Sequence, residues 1–288
     1  MKIGFIGAGK VGTTLGKYMS DKGSDVGGYL SRSIESAAES AKFTNSIVYE
    51  DMGKLVSDCD VLFLTVPDGS IHLIYEELTQ YPINEKIICH CSGAMTAGEA
   101  FPDIREKSAY GYSVHPLFAV SDKFNAYPEL SDVFFAIEGT QEKLSDMATM
   151  LKDIGLKVNI INPEAKTKYH LAAAMSSNLV IGLLWKCVSL MEESGFKSDD
   201  ALKALAPLVK GNIEHIFENG LTESLTGPVE RGDFETVKKH LECLDSEEDK
   251  LLYRILSKHV LTVAKQKHSG RDYKKTEDTI LDYVGGKK

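Results

Sequence analysis

Met1-Lys2-Ile3-Gly4-Phe5-Ile6 is a short apolar run of strand type, and Gly7-Ala8-Gly9-Lys10-Val11-Gly12 follows it directly. Thr13 to Ser20 then reads as a helix, with Leu15, Tyr18 and Met19 as its apolar positions. A G-x-G-x-x-G between a strand and a helix is the fingerprint of a dinucleotide-binding turn. Gly7 permits the tight turn, Gly9 lets the backbone approach a pyrophosphate, and Gly12 lets the helix pack close to the strand. The helix N-terminus adds free N–H groups and a positive dipole end. Gly7, Ala8, Gly9, Lys10, Val11 and Gly12 are therefore the first candidate cofactor-binding residues.

The fingerprint calls for an acidic residue about 20 positions on, at the end of the second strand, to hold the ribose hydroxyls. The second strand reads as Asp25 to Leu30, and it ends in Ser31-Arg32-Ser33 with no acid. An Arg flanked by two hydroxyls suits a 2′-phosphate, because guanidinium–phosphate hydrogen bonds are charge-assisted and directional. Ser31, Arg32 and Ser33 therefore point to NADP(H) over NAD(H).

The chain has 288 residues and a net charge of −9, from 42 acidic and 33 basic side chains. That balance, without a basic stripe, argues against nucleic-acid binding. Its 43% hydrophobic content allows a substantial core. The five cysteines have no framework spacing, which fits reduced thiols and a cytoplasmic setting. In a strand, Cys89 and Cys91 share one face and His90 takes the other, so Cys89-His90-Cys91 is not read as a metal site. No secretory leader is expected. Leu171 to Met191 is the one long apolar stretch; Ser176, Ser177, Asn178 and Lys186 within it suit a buried helix rather than a membrane span.

The first half alternates strands and helices, the pattern of a parallel sheet covered by helices. Asp60 to Val66 is the clearest buried strand, closed by Pro67-Asp68-Gly69, with Ser70 expected to cap a helix over Ile71 to Gln80. Further strands fit Lys86 to Cys91, Ala109 to Val114 before His115-Pro116, Val133 to Ile137 and Lys157 to Ile161. From Pro163 onward the chain reads as helix only. Asn162-Pro163-Glu164 gives an N-cap, a first-turn proline and an acid. One long helix is expected from there to Glu193, then helices over Ser198 to Phe217, Phe234 to Leu244 and Ser246 to His268. The Gly285-Gly286-Lys287-Lys288 end is expected to fray. The expected architecture is an α/β, Rossmann-like doubly wound, mostly parallel sheet over 1–161, followed by an all-helical substrate and dimerisation domain over 162–288.

Ligands of such sheets bind beyond the C-terminal strand ends, at the point where strand order reverses. This gathers the glycine loop, Ser31-Arg32, Val66-Pro67-Asp68, Ser92-Gly93 and His115 around one crevice. Val66, Pro67 and Asp68 join the cofactor candidates. His115 is the first candidate for proton exchange, since histidine titrates near neutrality, and a structural turn histidine is the alternative. Ser92 suits a substrate or nicotinamide hydrogen bond, or a helix cap. Helical spacing places His170, Ser177 and Asn178 near one face, facing a ligand or another helix. Arg231, in Thr226 to Asp233, suits an anionic substrate or a surface pair with Asp233. The remaining histidines, His90 among them, read as surface residues.

The residues Gly7-x-Gly9-x-x-Gly12, Thr65-Val66-Pro67-Asp68, His90-Cys91-Ser92-Gly93, His115-Pro116, Tyr169-His170-x-Ala172-Ala173, Ser177-Asn178 and Gly227-Pro228-x-x-Arg231-Gly232-Asp233 run nearly the length of the chain. Together they resemble the family that pairs a Rossmann-like domain with the domain of unknown function 2520. Its members are described as NADP-dependent oxidoreductases. The layout is more distantly similar to the 6-phosphogluconate dehydrogenase superfamily, with its 6-phosphogluconate dehydrogenase C-terminal-like helical domain. By resemblance to prephenate dehydrogenases in that superfamily, His115 takes the place of a catalytic histidine and Ser92 that of a serine after the preceding strand. Leu117-Phe118-Ala119 after His115-Pro116 departs from their motif, and Lys168 and Asn178 lie too far apart for the hydroxyacid dehydrogenase pattern.

The expectation is an enzyme: an NADP(H)-dependent oxidoreductase moving a hydride to or from a small, anionic hydroxy, keto or imino substrate in an interdomain cleft. His115, Ser92, His170, Asn178 and Arg231 are its candidate catalytic residues. Its expected partners are a small-molecule substrate and a second copy in a homodimer, with no metal, nucleic acid or membrane. The alternative is an NADP(H)-binding sensor or interaction protein without turnover.

Overall fold

The computed structural model describes residues 1–281. They form two compact units that divide between Ile181 and Gly182. The first contains β1 (Lys2–Ile6), α1 (Lys10–Asp21), β2 (Asp25–Leu30), α2 (Ile34–Thr44), β3 (Ile47–Val48), α3 (Met52–Asp58), β4 (Val61–Leu64) and α4 (Asp68–Leu78). It continues with β5 (Ile87–His90), α5 (Ala97–Ala100), β6 (Tyr110–Pro116), β7 (Phe134–Gly139), α6 (Leu144–Asp153), β8 (Lys157–Ile160) and α7 (Lys166–Ser176).

The strands form one sheet in the order β3-β2-β1-β4-β5-β6-β7-β8. All pairs are parallel except β6 with β7. The order reverses between β1 and β4, which makes the C-terminal ends of these strands the switch point. Strand β4 is fully buried along Val61-Leu62-Phe63-Leu64, as a strand covered on both faces must be. Alternation sends Phe5 and Phe63 to one face, where Phe5 stacks between Tyr29 and Phe63. Leu62, Leu64 and Ile88 face the second core, with Leu55 and Phe101.

Two expectations are corrected. Ser70 does not cap its helix: α4 starts at Asp68 with Pro67 as N-cap, and Ser70 lies in the first turn. The fixed φ of Pro67 and the carboxylate of Asp68 at the positive helix end explain the earlier start. The long helix is not continuous either. It breaks at Ser177 (φ −123°, ψ −80°) between α7 and α8 (Asn178–Glu193). The Ser177 hydroxyl donates to the Ala173 carbonyl at 2.7 Å, a local bond that competes with the helical ladder.

The second unit holds the rest of α8, then α9 (Ser198–Ser224), α10 (Pro228–Arg231), α11 (Phe234–Glu242), α12 (Glu247–Lys267) and α13 (Lys274–Leu281). Helix α9 runs past Phe217 but is interrupted at Gly220, whose φ is +84°. The core is small: Val229, Val237, Leu241, Leu261, Ala264, Tyr273 and Ile280. The stretch read from sequence as a buried helix is not buried. No residue of α8 is buried, and Pro163–Glu193 is long and apolar enough to cross a membrane by length and composition. The Gly285-Gly286-Lys287-Lys288 end lies outside the described residues.

Candidate functional site

A groove of about 890 Å³ opens at the switch point. One wall is the glycine loop, through Gly7, Ala8 and Gly9; the other is Leu30, Ser31, Arg32, Ser33 and Ser36. Thr65, Val66 and Pro67 close the side next to β4, and Ser70, Leu73, Ile74 and Glu77 of α4 line the mouth. The volume is that of a site for a nucleotide-sized ligand.

The glycines act here as physical chemistry requires. Gly7 has φ +105°, and a Cβ on it would stand 2.5 Å from the Thr65 carbonyl oxygen. A Cβ on Gly12 would stand 2.3 Å from Thr65 Oγ1, so glycine is what lets α1 pack against the end of β4. A Cβ on Gly9 would meet nothing within 4 Å. Its backbone borders open groove, not protein. Helix α1 begins at Gly9 with no side-chain cap and no acid in its first turn, which leaves its first amides to a ligand. Helix α2 differs: Ser33 Oγ accepts from Ser36 N at 3.1 Å and donates to Glu35 at 2.9 Å. Arg32 is exposed on the rim. Lys10, Val11, Gly12 and Asp68 are not among the lining residues.

A second cluster sits at the ends of β5 and β6. The Ser92 hydroxyl donates to Asp68 Oδ2 at 2.7 Å and accepts from the amides of Ala94 and Met95. Ser92 thus caps the β5 end and fixes Asp68. His115 Nδ1 lies 2.7 Å from the Tyr169 hydroxyl. Gly93 separates the two histidines: a Cβ there would fall 2.7 Å from His115 Nε2 and 2.9 Å from His170 Cδ2. The structure therefore brings Asp68, Ser92, His115 and His170 together. Asn178 is not joined to them by a hydrogen bond; its side-chain oxygen accepts from Ser177. Arg231 belongs to the second unit, exposed at the end of α10. There, Glu230 anchors the loop: it pairs with His268, and its carbonyl accepts from Tyr273 and Arg271.

Beneath this cluster lies a charge pair that the sequence did not betray. Lys166 Nζ is 3.5 Å from Glu138 Oε1, with both side chains buried. Lys166 also bonds Ser113 Oγ, and Glu138 Oε1 accepts from the Ala97 amide at 2.9 Å. Burial opposes charge on both partners, pushing Glu138 up and Lys166 down, and their mutual attraction works against it. His90 also lies here, fully buried rather than on the surface. Its Nδ1 accepts from the Ser92 amide, and Nε2 has no partner among the described residues. Burial, then the Lys166 ammonium, holds His90 down to about 3. Burial, then Lys166 and His170, holds His115 down to about 4, against an opposing pull from Asp68. Both imidazoles are neutral at pH 7. Burial pushes Tyr169 up to about 12, so its hydroxyl keeps its proton.

Residues 133–260 match the domain of unknown function DUF2520. Residues 2–92 match the family described as NADP oxidoreductase, coenzyme F420-dependent. The DUF2520 match takes in Glu138, Lys166, Tyr169, His170, Asn178 and Arg231, whereas His115 lies between the two matched stretches. Among solved structures, protein TM1727 from Thermotoga maritima is similar, with 27% identity and a TM-score of 0.74 over 92% of this chain and 99% of that one. BF3122 from Bacteroides fragilis, described as an NADP oxidoreductase, has 20% identity and a TM-score of 0.72 over 91% and 98%. A reductive aminase from Aspergillus terreus, solved with NADPH and ethyl-5-oxohexanoate, has 15% identity and a TM-score of 0.62 over 98% and 99%. No curated protein matches the chain.

Sequence reasoning missed Lys166, Glu138 and Ser113, and gave Tyr169 no role of its own although it stands beside His170 in a quoted motif. Lys166 carried one faint signal, a lysine in the first turn of a helix, where a positive charge is unfavourable unless something pairs it.

Proposed function

We propose that the chain is an NADP(H)-dependent oxidoreductase that exchanges a hydride with a small hydroxy, keto or imino compound. The observation that carries this reading is the groove at the switch point, walled by the glycine loop on one side and by Ser31-Arg32-Ser33 on the other. The residues fit the cofactor. Open space over Gly9 and the uncapped start of α1 suit a pyrophosphate, and exposed Arg32 suits a 2′-phosphate. Bound there, the cofactor supplies the hydride.

The protein supplies position and a proton route. Tyr169 stays protonated, and in the tautomer where it donates to His115 Nδ1 the imidazole proton sits on Nε2, next to Gly93. A neutral imidazole in that tautomer donates a hydrogen bond to a substrate oxygen or nitrogen and can pass its proton on. Asp68, held by Ser92, and the exposed His170 ring supply the nearby polar groups. A role for Asn178 rests on its place at the start of α8.

A homodimer belongs to the same reading. Leu179, Ile181, Leu183 and Trp185 on α8 are exposed around the helix, and clustered exposed apolar side chains mark interaction surfaces. Lys186, ion-paired with Asp249 at 2.7 Å, suits a protein partner rather than lipid. Sedimentation of the purified chain tests this: a monomer at micromolar concentration contradicts it.

The activity test is NADPH oxidation across a panel of small keto acids, aldehydes and imines. Turnover with one class supports the enzyme reading. Tight NADPH binding with no oxidation across the panel favours a sensor instead.

A further inference from the structure

The connection from β6 to β7 crosses back over the start of the fold. Asp122 caps its turn by accepting from the amides of Phe124 and Asn125 at 2.8 and 3.0 Å. Phe124 and Tyr127 then meet Phe43 of α2 edge to face, with ring centroids 5.2 and 5.7 Å apart. The Lys17 ammonium of α1 lies over Phe43 and Tyr127. Thr14 of α1 donates to the Lys123 carbonyl at 3.3 Å. These contacts clamp the segment to α1 and α2 and leave Lys123 little choice of place.

Lys123 Nζ lies 2.9 Å from Ser36 Oγ and 3.3 Å from the Ser36 carbonyl. Ser36 is itself a groove residue and donates to the Ala8 carbonyl of the glycine loop at 2.8 Å. The ammonium therefore stands one hydrogen bond behind the groove wall, on the same rim as Arg32 and Ser33. Its carboxylate partner is Glu39, at 3.0 Å. The Lys123 side chain is 17% exposed and that of Glu39 61%, so the pair is half in water and weak. Glu35 is the other nearby acid, and its carboxylate is engaged with Ser33.

We infer that Lys123 is a second cation for the 2′-phosphate of the cofactor, delivered to the Ser36 side of the groove by the β6–β7 connection. The inference rests on the proposed reading of this groove as an NADP(H) site. A phosphate monoester carries close to two negative charges at neutral pH and draws an ammonium away from a single solvated carboxylate. The amino group has to travel only past Ser36. Arg32 contacts the phosphate from the rim and Lys123 from behind Ser36, so a 2′-hydroxyl, with no charge, engages neither strongly.

The test is fluorescence titration of the full chain with NADPH and NADH, for wild type, Lys123→Met, Glu39→Gln and Arg32→Ala. Loss of one charge-assisted contact predicts a fall in NADPH affinity of about tenfold or more in Lys123→Met, with NADH affinity unchanged. Glu39→Gln frees the ammonium and raises NADPH affinity severalfold, again without effect on NADH. A Lys123→Met variant that weakens both cofactors equally shows a clamp rather than a contact, and overturns the inference. An unchanged NADPH to NADH ratio in Lys123→Met, with the ratio lowered in Arg32→Ala, overturns Lys123 and leaves the groove reading standing. Wild type that does not prefer NADPH overturns both.

Discussion

His115 Nδ1 and the Tyr169 hydroxyl lie 2.7 Å apart, with their rings edge to face at 86°. The pair joins the end of β6 to α7 and leaves the Nε2 edge of the imidazole against Gly93. If His115 exchanges the proton, His115→Asn lowers kcat by about 10²- to 10⁴-fold and leaves NADPH affinity intact. Tyr169→Phe removes one hydrogen bond and lowers kcat by about tenfold. Steady-state kinetics on an active substrate check both. Full activity in His115→Asn removes this residue from the mechanism.

Buried His90 and half-buried His115 make stability depend on pH. His90 is held near 3 and His115 near 4, below the ordinary value of 6.5. Between those values the unfolded chain binds protons that the folded chain does not. Stability is therefore full above about pH 6.5 and drains as pH falls toward 3. Each histidine adds a slope of about 1.4 kcal/mol per pH unit within its window. Urea unfolding at pH 7, 5.5 and 4.5 measures it. Replacing His90 by Gln flattens the profile; a profile unchanged by that variant counts against the assignment.

The Lys166–Glu138 pair answers to a double-mutant cycle. Lys166→Met leaves the Glu138 carboxylate buried without its cation, which costs about 3–5 kcal/mol. Lys166→Met combined with Glu138→Gln removes both charges and recovers most of that loss, because the amide oxygen still accepts from Ala97. Denaturant titration reads the cycle. A single-variant loss under about 1 kcal/mol means that the pair is of no structural consequence.

Gly9 and Gly12 separate binding from folding. Gly9 has φ −79° and open space where a Cβ would stand, so Gly9→Ala folds with normal stability. The added methyl occupies the approach of the pyrophosphate, and NADPH affinity falls. Gly12→Ala forces its methyl onto Thr65 and the Gly7 carbonyl and destabilises the fold by about 1–3 kcal/mol. Thermal unfolding and cofactor titration on the two variants give opposite patterns. Normal cofactor affinity in Gly9→Ala contradicts the reading of the glycine loop.

Much of the first unit was legible because its signals are local. The glycine loop, the buried run Val61 to Leu64 and the Asn162-Pro163 helix start each lie within a few residues. Lys166 and Glu138 were invisible for the opposite reason: only the antiparallel return of β7 and the docking of α7 bring them together. His90 looked like a surface residue because alternation alone cannot tell a solvated face from a second buried one. The break at Ser177 falls in a stretch with unbroken apolar helical pattern, where the only local sign is a serine whose hydroxyl bonds the Ala173 carbonyl. Ser33 read as a phosphate ligand caps α2, and of the two readings open for Ser92 its hydroxyl takes the capping one, accepting from Ala94 and Met95.

The most direct test of the central claim is the dissociation constant of the purified chain for NADPH and for NADH, with Arg32→Ala alongside. The account predicts that NADPH binds at least about tenfold more tightly, and that Arg32→Ala erases most of the difference by weakening NADPH alone. NADH binding as tightly as NADPH, or an Arg32→Ala variant with unchanged NADPH affinity, would contradict it.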